Sequence, residues 1–145
     1  MDILNLEVNF FAFMLSGLLA FLLGLIWYHP KVMGKQWADA NGIDIEKMKL
    51  KPFPFIASFF LWILSACFYS FLASFLQIHM AEDPQLAAAG YFALSCMLWV
   101  AFAMPPALMG ALYTGGSFDG TAIDASYHLG GYYVFAAVHI AYLYM

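Results

Sequence analysis

The stretch that decides the fold is Val8–Tyr28, VNFFAFMLSGLLAFLLGLIWY, which contains no Asp, Glu, Lys or Arg. A helix needs about 20 mostly apolar residues to cross a bilayer, and this stretch has that length. Backbone polar groups in hydrocarbon must bond internally, and a helix does so within one segment. Three more uncharged stretches follow at Pro52–Met80, Pro84–Phe118 and Ala125–Met145. The sequence therefore predicts an all-α integral membrane bundle of four transmembrane helices, over residues 5–28, 53–78, 86–113 and 122–144.

The composition agrees with a membrane protein of one domain, residues 1–145. Hydrophobic residues make up 65% of the chain and charged residues 10%, whereas soluble domains carry about 25% charged residues. There is no arginine, so the chain has no basic surface suited to nucleic acid. We expect the lipid bilayer as its surroundings.

The lysines predict the orientation of the chain. All five lie between the first and second predicted spans, and the second loop instead carries Glu82 and Asp83. Loops rich in lysine stay in the cytoplasm, so both termini are predicted to lie outside. The N-terminus holds Asp2 and Glu7 without a basic residue, which favours a retained first span over a signal peptide.

The first loop is long enough to hold structure. Met33, Trp37 and Ala40 recur at helical spacing, and Asn41-Gly42 is a good helix stop. We expect a short interfacial helix with Trp37 at the level of the lipid headgroups. Recognition of anionic lipid by the lysines is the alternative.

Small residues form a stripe along the first span. Ala12, Ser16, Ala20 and Gly24 are spaced four apart, which places them on one helix face and lets helix backbones approach closely in lipid. The stripe suits packing within the bundle or between copies. We expect a homo-oligomer or a membrane-protein partner.

The third span contains Pro105-Pro106 near its middle. Proline removes an amide donor and pushes against the carbonyl one turn earlier, so a kink is expected. The kink either shapes the bundle alone or opens a transport path along a broken helix.

The fourth span is the most polar. Asp124, His128, Tyr132 and His139 fall on one helix face at 3.6 residues per turn, and ionisable groups within a membrane usually face the bundle interior. Thr121 and Asp124 also have the spacing of a capping box at a helix start. His128 is expected to bond to Asp124. A channel or transporter would place Pro105, Pro106, Tyr132 and His139 along its path.

The four histidines raise a further alternative. His29 and His128 are predicted at the inner side, and His79 and His139 at the outer side, where facing histidines can ligate haem or a metal. However, the chain has no zinc-ligand spacing and no nucleotide-binding glycine motif. No cofactor, metal site or catalytic residue is therefore predicted. A non-enzyme is favoured, and an intramembrane redox or hydrolytic enzyme that uses His128 is the alternative.

Two segments resemble a known family. Gly24–Trp37, GLIWYHPKVMGKQW, is similar to the hallmark of the bacterial membrane family called domain of unknown function 1761, with Met33 where that family usually has Phe. Ile123–Leu129, IDASYHL, is similar to its fourth-span motif, in which Asn commonly replaces Asp124. The resemblance implies a four-helix protein of the bacterial inner membrane and supplies no reaction.

The segment Gly24–Trp37 has two possible roles. Trp27 and Tyr28 are good interface anchors. Alternatively, a lipid headgroup or small ligand binds in a pocket, with the candidate ligand-binding residues Trp27, Tyr28, His29, Trp37, Asp124 and His128. The leading prediction is a structural or accessory membrane protein that self-associates. A small channel or transporter, and a haem- or metal-binding protein, are the alternatives.

Overall fold

A computed structural model of the chain describes residues 8–49, 51–80 and 83–145, without the side chain of His79. Residues 5–7 of the predicted first span, Glu82 and the His79 imidazole lie outside the described residues. The described chain is helical and contains no strand. Its helices are α1 (Phe10–Trp27), α2 (Lys35–Ala40), α3 (Pro52–Met80), α4 (Pro84–Leu98), α5 (Met104–Thr114) and α6 (Phe118–Leu143).

Within the described residues, three helical segments are long and apolar enough to cross a membrane. They are Phe10–Trp27, Pro52–Ile78 and the continuous segment Pro84–Thr114. The fourth predicted span corresponds to α6, which has 26 residues but does not belong to this apolar group. Its glycines, tyrosines and ionisable residues lower its mean hydropathy.

The outward faces of these helices are apolar. On α3, Phe60, Leu64 and Phe68 leave more than half of their surface exposed, and they follow one another at helical spacing. Exposed apolar area of this extent is unfavourable in water and is compatible with surrounding lipid.

The small-residue stripe of α1 is buried inside the chain. Ala12, Ser16, Ala20 and Gly24 are all buried, because α1 packs against α3 and α6. A Cβ on the neighbouring Gly17 would lie 2.9 Å from the Cα of Ile63. The stripe therefore serves packing within the chain, and the predicted self-association stays a prediction.

Hydrogen bonds join three helices at the centre of the bundle. The Tyr69 hydroxyl on α3 donates to the carbonyl of Tyr91 on α4 at 2.7 Å. The Ser95 hydroxyl on α4 donates to the carbonyl of Tyr132 on α6 at 2.9 Å. Phe135 packs its ring against Tyr69 at a centroid distance of 5.4 Å and is fully buried. Bonds of this kind fix helix register, since a buried polar group without a partner is costly.

The third span, in which the sequence predicts a kink, contains a π-helical turn at Trp99–Ala103, between α4 and α5. This turn ends two residues before Pro105, and the Met104 amide donates to the Trp99 carbonyl five residues back. The wider turn accommodates the proline ring, which would clash with a carbonyl in a regular helix. The Trp99 indole donates to the carbonyl of Ala125 on α6 at 2.7 Å, which ties the irregular turn to the bundle.

The start of α6 corrects one expectation. Ser117 caps this helix, with its hydroxyl accepting from the Gly120 amide at 3.1 Å. The capping box predicted at Thr121 and Asp124 is therefore wrong, because Ser117 caps the helix four residues earlier and the Thr121 hydroxyl donates to the Ser117 carbonyl. The Asp124 carboxylate thus lies inside the helix and takes part in tertiary contacts.

The first loop contains the predicted short helix, α2. A π-helical turn at Pro30–Gly34 precedes it, and Asn41 ends it. A Cβ on Gly34 would overlap the carbonyl of Tyr28, so glycine is what lets the loop fold back on the end of α1. Both cysteines, Cys67 and Cys96, are free thiols.

Candidate functional site

A cavity of about 690 Å³ lies between α1, α3 and α6, at the end of the bundle that carries the first loop. Small-molecule sites have volumes of about 300–1,000 Å³ and are mostly apolar with a few polar groups. This cavity fits that description. Its lining includes Phe21, Leu25, Phe55, Leu61, Trp62, Tyr127 and Tyr132, together with Tyr28, Trp37, Asp124 and His128.

The end of α1 and the beginning of α6 meet at this cavity. The Tyr28 hydroxyl donates to Asp124 Oδ1 at 2.6 Å, and the Trp27 indole donates to the Ile123 carbonyl at 3.2 Å. These are the two segments that resemble the family motifs, and they are 96 residues apart in sequence. Their contact builds one polar cluster from two distant parts of the chain.

Gly24 lets α6 approach α1 closely beside the cavity. A Cβ on Gly24 would overlap the hydroxyl of Tyr127, which instead donates to the Ala20 carbonyl at 3.2 Å. The phenol of Tyr127 therefore lies across the α1 backbone and forms one wall of the cavity.

The Asp124 carboxylate is stabilised by a neutral donor. Burial, and then the hydrogen bond to Asp124, raise the pKa of the Tyr28 hydroxyl above its ordinary value. Tyr28 therefore remains a hydrogen-bond donor at any physiological pH. Among the described residues, no basic side chain pairs with Asp124, whereas Lys47 forms an ion pair with Asp44 in the first loop.

His128 presents an acceptor to the cavity. Its Nδ1 lies 2.8 Å from the Asp124 carbonyl oxygen. A carbonyl only accepts, so Nδ1 carries the proton and Nε2 holds a lone pair in the neutral ring. The imidazole lies beside the Trp62 indole, with ring centroids 5.6 Å apart and planes inclined by 32°. The expected bond between His128 and Asp124 is present, but it uses the backbone carbonyl.

Trp37 contributes a donor. Helix α2 brings its ring edge-on to Tyr28 at a centroid distance of 5.7 Å. Its indole Nε1 is buried without a hydrogen-bond partner among the described residues, although buried Trp N–H groups usually have one. Among the described residues, those that line the cavity thus include a carboxylate, an imidazole with a free acceptor, and a tryptophan whose N–H is unpaired.

The structure brings four of the six predicted ligand-binding residues to the cavity wall: Tyr28, Trp37, Asp124 and His128. Trp27 supports the site from behind through its bond to Ile123. His29 is exposed and does not line the cavity, and its Nδ1 accepts from the Lys31 amide at 3.2 Å.

The residues predicted for a transport path are separated. Tyr132 lines the large cavity, and His139 lines a second, small cavity. Pro105 is half-buried and Pro106 exposed, and neither lines these two cavities. The described residues form no group of three or more His, Cys, Asp or Glu side chains suited to a metal ion.

Sequence reasoning missed Trp62, which forms part of the cavity wall and contacts four aromatic rings: Tyr127, His128, Tyr132 and Phe135. It lies in the middle of an apolar run and carries no local signal. The related sequence signal is Gly131 on the facing helix, where the absence of a side chain leaves room for the Trp62 ring. A Cβ at Gly131 would overlap that ring.

Comparison with known proteins supplies a family and no precedent for the site. No curated protein and no solved structure matches the chain. A family model matches residues 11–140, which includes both segments that meet at the cavity. The chain belongs to the family described as protein of unknown function DUF1761.

Proposed function

We propose that this protein is a membrane protein that binds an amphiphilic amine in the cavity between α1, α3 and α6. The observation that carries the proposal is the Asp124 carboxylate, which lines an aromatic cavity and has no cationic partner among the described residues. A carboxylate that lines a mostly apolar cavity attracts a cation, and aromatic faces attract ligand cations.

The polar groups of the cavity specify the head of the ligand. An ammonium group would pair with Asp124 and lie near the rings of Tyr28, Trp62 and Tyr127. The unpaired Trp37 N–H favours a ligand that also carries an acceptor, such as a hydroxyl or ester oxygen close to the amine. The apolar lining favours an alkyl or aromatic tail.

A charge series of probes tests the proposal. Purified protein in lipid nanodiscs is titrated with dodecylamine, dodecanol and dodecanoate, and tryptophan fluorescence is followed because Trp37 and Trp62 line the cavity. We expect saturable quenching by the amine and much weaker responses to the alcohol and the acid.

The matched variants are Asp124→Asn and Asp119→Asn. Both changes remove one carboxylate from α6, but Asp119 is exposed in the first turn and does not line the cavity. A charge-assisted hydrogen bond contributes about 1.5–3 kcal/mol, so Asp124→Asn should weaken amine binding by about 10-fold or more. Equal affinity in the two variants, or equal binding of dodecanoate, would refute the proposal.

Four membrane spans form part of the proposal, with α6 as the fourth and the lysine-bearing loop in the cytoplasm. The lower hydropathy of α6 is consistent with a span at the centre of the bundle. Its buried residues include Tyr127 and His139, and polar groups within a membrane face the bundle interior. A C-terminal alkaline phosphatase fusion should be active and a C-terminal fluorescent protein dark. The reverse pattern contradicts the orientation.

Transport remains the second candidate function. The observation in its favour is that cavities lie at two levels of α6, one lined by His128 and Tyr132 and the other by His139. Proteoliposomes with an inward-directed amine gradient should then show protein-dependent uptake that Asp124→Asn abolishes. Uptake equal to that of empty vesicles leaves binding without transport.

A further inference from the structure

A second cavity, of about 80 Å³, lies further along α6 from the amine site proposed above. The two are distinct, since the small one is bounded by the start of α1, the C-terminal halves of α3 and α6, and Tyr91 of α4. Polar side chains dominate its lining, and they include Asn9, Ser70, Gln77 and His139.

His139 lines this cavity and carries an unused acceptor. Its Nδ1 lies 2.8 Å from the Phe135 carbonyl oxygen, which only accepts, so Nδ1 carries the proton and Nε2 holds the lone pair. The residue is 6% exposed, and Nε2 is buried without a partner among the described residues. The rings of Tyr69 and Tyr91 pack against the imidazole at 5.3 and 6.0 Å and fix its position.

Ser70 adds a second buried polar group without a hydrogen-bond partner in the described part of the chain. It is 1% exposed, and its hydroxyl is buried without a partner among the described residues. A buried polar group without a hydrogen bond is strongly unfavourable. Two such groups belong to residues that line one cavity, one on α3 and one on α6, and a single small molecule with both donor and acceptor atoms could satisfy both.

The volume of the small cavity and the polar groups of its lining indicate which molecule would bind there. A water molecule takes up about 30 Å³ in the liquid, so the cavity has room for about two. Water can donate to His139 Nε2 and exchange a hydrogen bond with the Ser70 hydroxyl at once. The described lining contains no carboxylate that would hold a cation with a single imidazole. We propose that ordered water binds here and bridges His139 to Ser70, linking α6 to α3.

Water-edited solid-state NMR tests this directly. The protein is labelled with ¹⁵N-histidine, reconstituted in deuterated lipid, and examined for magnetisation transfer from water to the imidazole nitrogens. The His139 signal is assigned by its loss in His139→Phe, and exposed His29 serves as the positive control. Transfer to both residues is expected. Transfer to His29 without transfer to His139 would overturn the proposal.

The sign of a stability change gives an independent test. In a hydrated cavity, Ser70→Ala removes one partner of the bound water, so the melting temperature should fall by a few degrees. In a dry cavity, the same change removes a costly unpaired hydroxyl, so the melting temperature should rise. Ser126→Ala is the matched control, because the Ser126 hydroxyl is exposed and bonds within α6 to Ala122. A melting temperature equal to or above that of the control contradicts bound water.

Discussion

Replacing Gly131 by Ala should destabilise the protein, because Gly131 lies directly against Trp62. A Cβ at this position would lie 2.6 Å from Trp62 Cζ3 and 3.1 Å from Cζ2, whereas non-bonded carbons prefer about 3.5–4.0 Å. The indole cannot yield easily, since Tyr127 and Phe135 pack against it at 5.3 and 5.6 Å. Overpacking of this kind costs about 1–3 kcal/mol, and the rigid neighbour favours the upper half of that range.

The expected result is a lower melting temperature. For chains of this size, 1 kcal/mol corresponds to about 2–4 °C, so Gly131→Ala should lower the midpoint by about 4–12 °C. The midpoint is measured by tryptophan fluorescence in one detergent for all variants. Because Trp62 lines the cavity, the same variant should also bind dodecylamine more weakly.

The adjacent Gly130→Ala is the matched control. Its Cβ would meet only the end of the Leu23 side chain, at 3.2 Å, and that side chain is able to move. Both variants gain the same helix propensity, up to about 1 kcal/mol, so their difference isolates the clash with Trp62. Equal melting temperatures for Gly130→Ala and Gly131→Ala would refute the packing of α6 against α3.

Three further predictions concern other parts of the fold. Gly34→Ala should unfold the first loop locally, because its Cβ would overlap the backbone carbonyl at the end of α1; limited proteolysis of the loop should accelerate, and unchanged cleavage would contradict the tight approach. Trp99→Phe should lower stability by about 0.5–1.5 kcal/mol, since it removes the 2.7 Å bond to Ala125; an unchanged melting temperature would argue against that bond. Cys67 and Cys96 are free, so thiol titration of the unfolded, unreduced protein should find two thiols per chain, and a value near zero would indicate a disulfide.

The candidate site was predictable in part. Asp124 and His128 were identified because ionisable groups are expensive in an apolar segment, and that argument needs no partner. Tyr28 and Trp37 were candidates because aromatic residues next to a lysine-bearing loop suit an interface pocket. Trp62 was missed, since a tryptophan within an apolar run has the same sequence signal whether it faces lipid or a cavity.

The start of α6 illustrates how a local pattern fails. Thr121 and Asp124 have capping-box spacing, but the Ser117 hydroxyl caps the helix four residues earlier. Each serine, threonine or aspartate near a helix start competes for this role, and the sequence does not rank them. The local pattern also gave no sign of the hydrogen bond that the Asp124 carboxylate accepts from Tyr28 on another helix.

The sequence by itself determined the class of this protein. Long uncharged stretches in a chain of 65% hydrophobic residues favour hydrocarbon surroundings, and a helix satisfies the backbone of such a stretch within one segment. The bond between Tyr28 and Asp124, the place of Trp62 beside His128, and the two unpaired groups around the small cavity were decided only by tertiary structure. The reason is that helical periodicity assigns residues to a face of their own helix, whereas the helix that each face meets depends on how all the helices pack together.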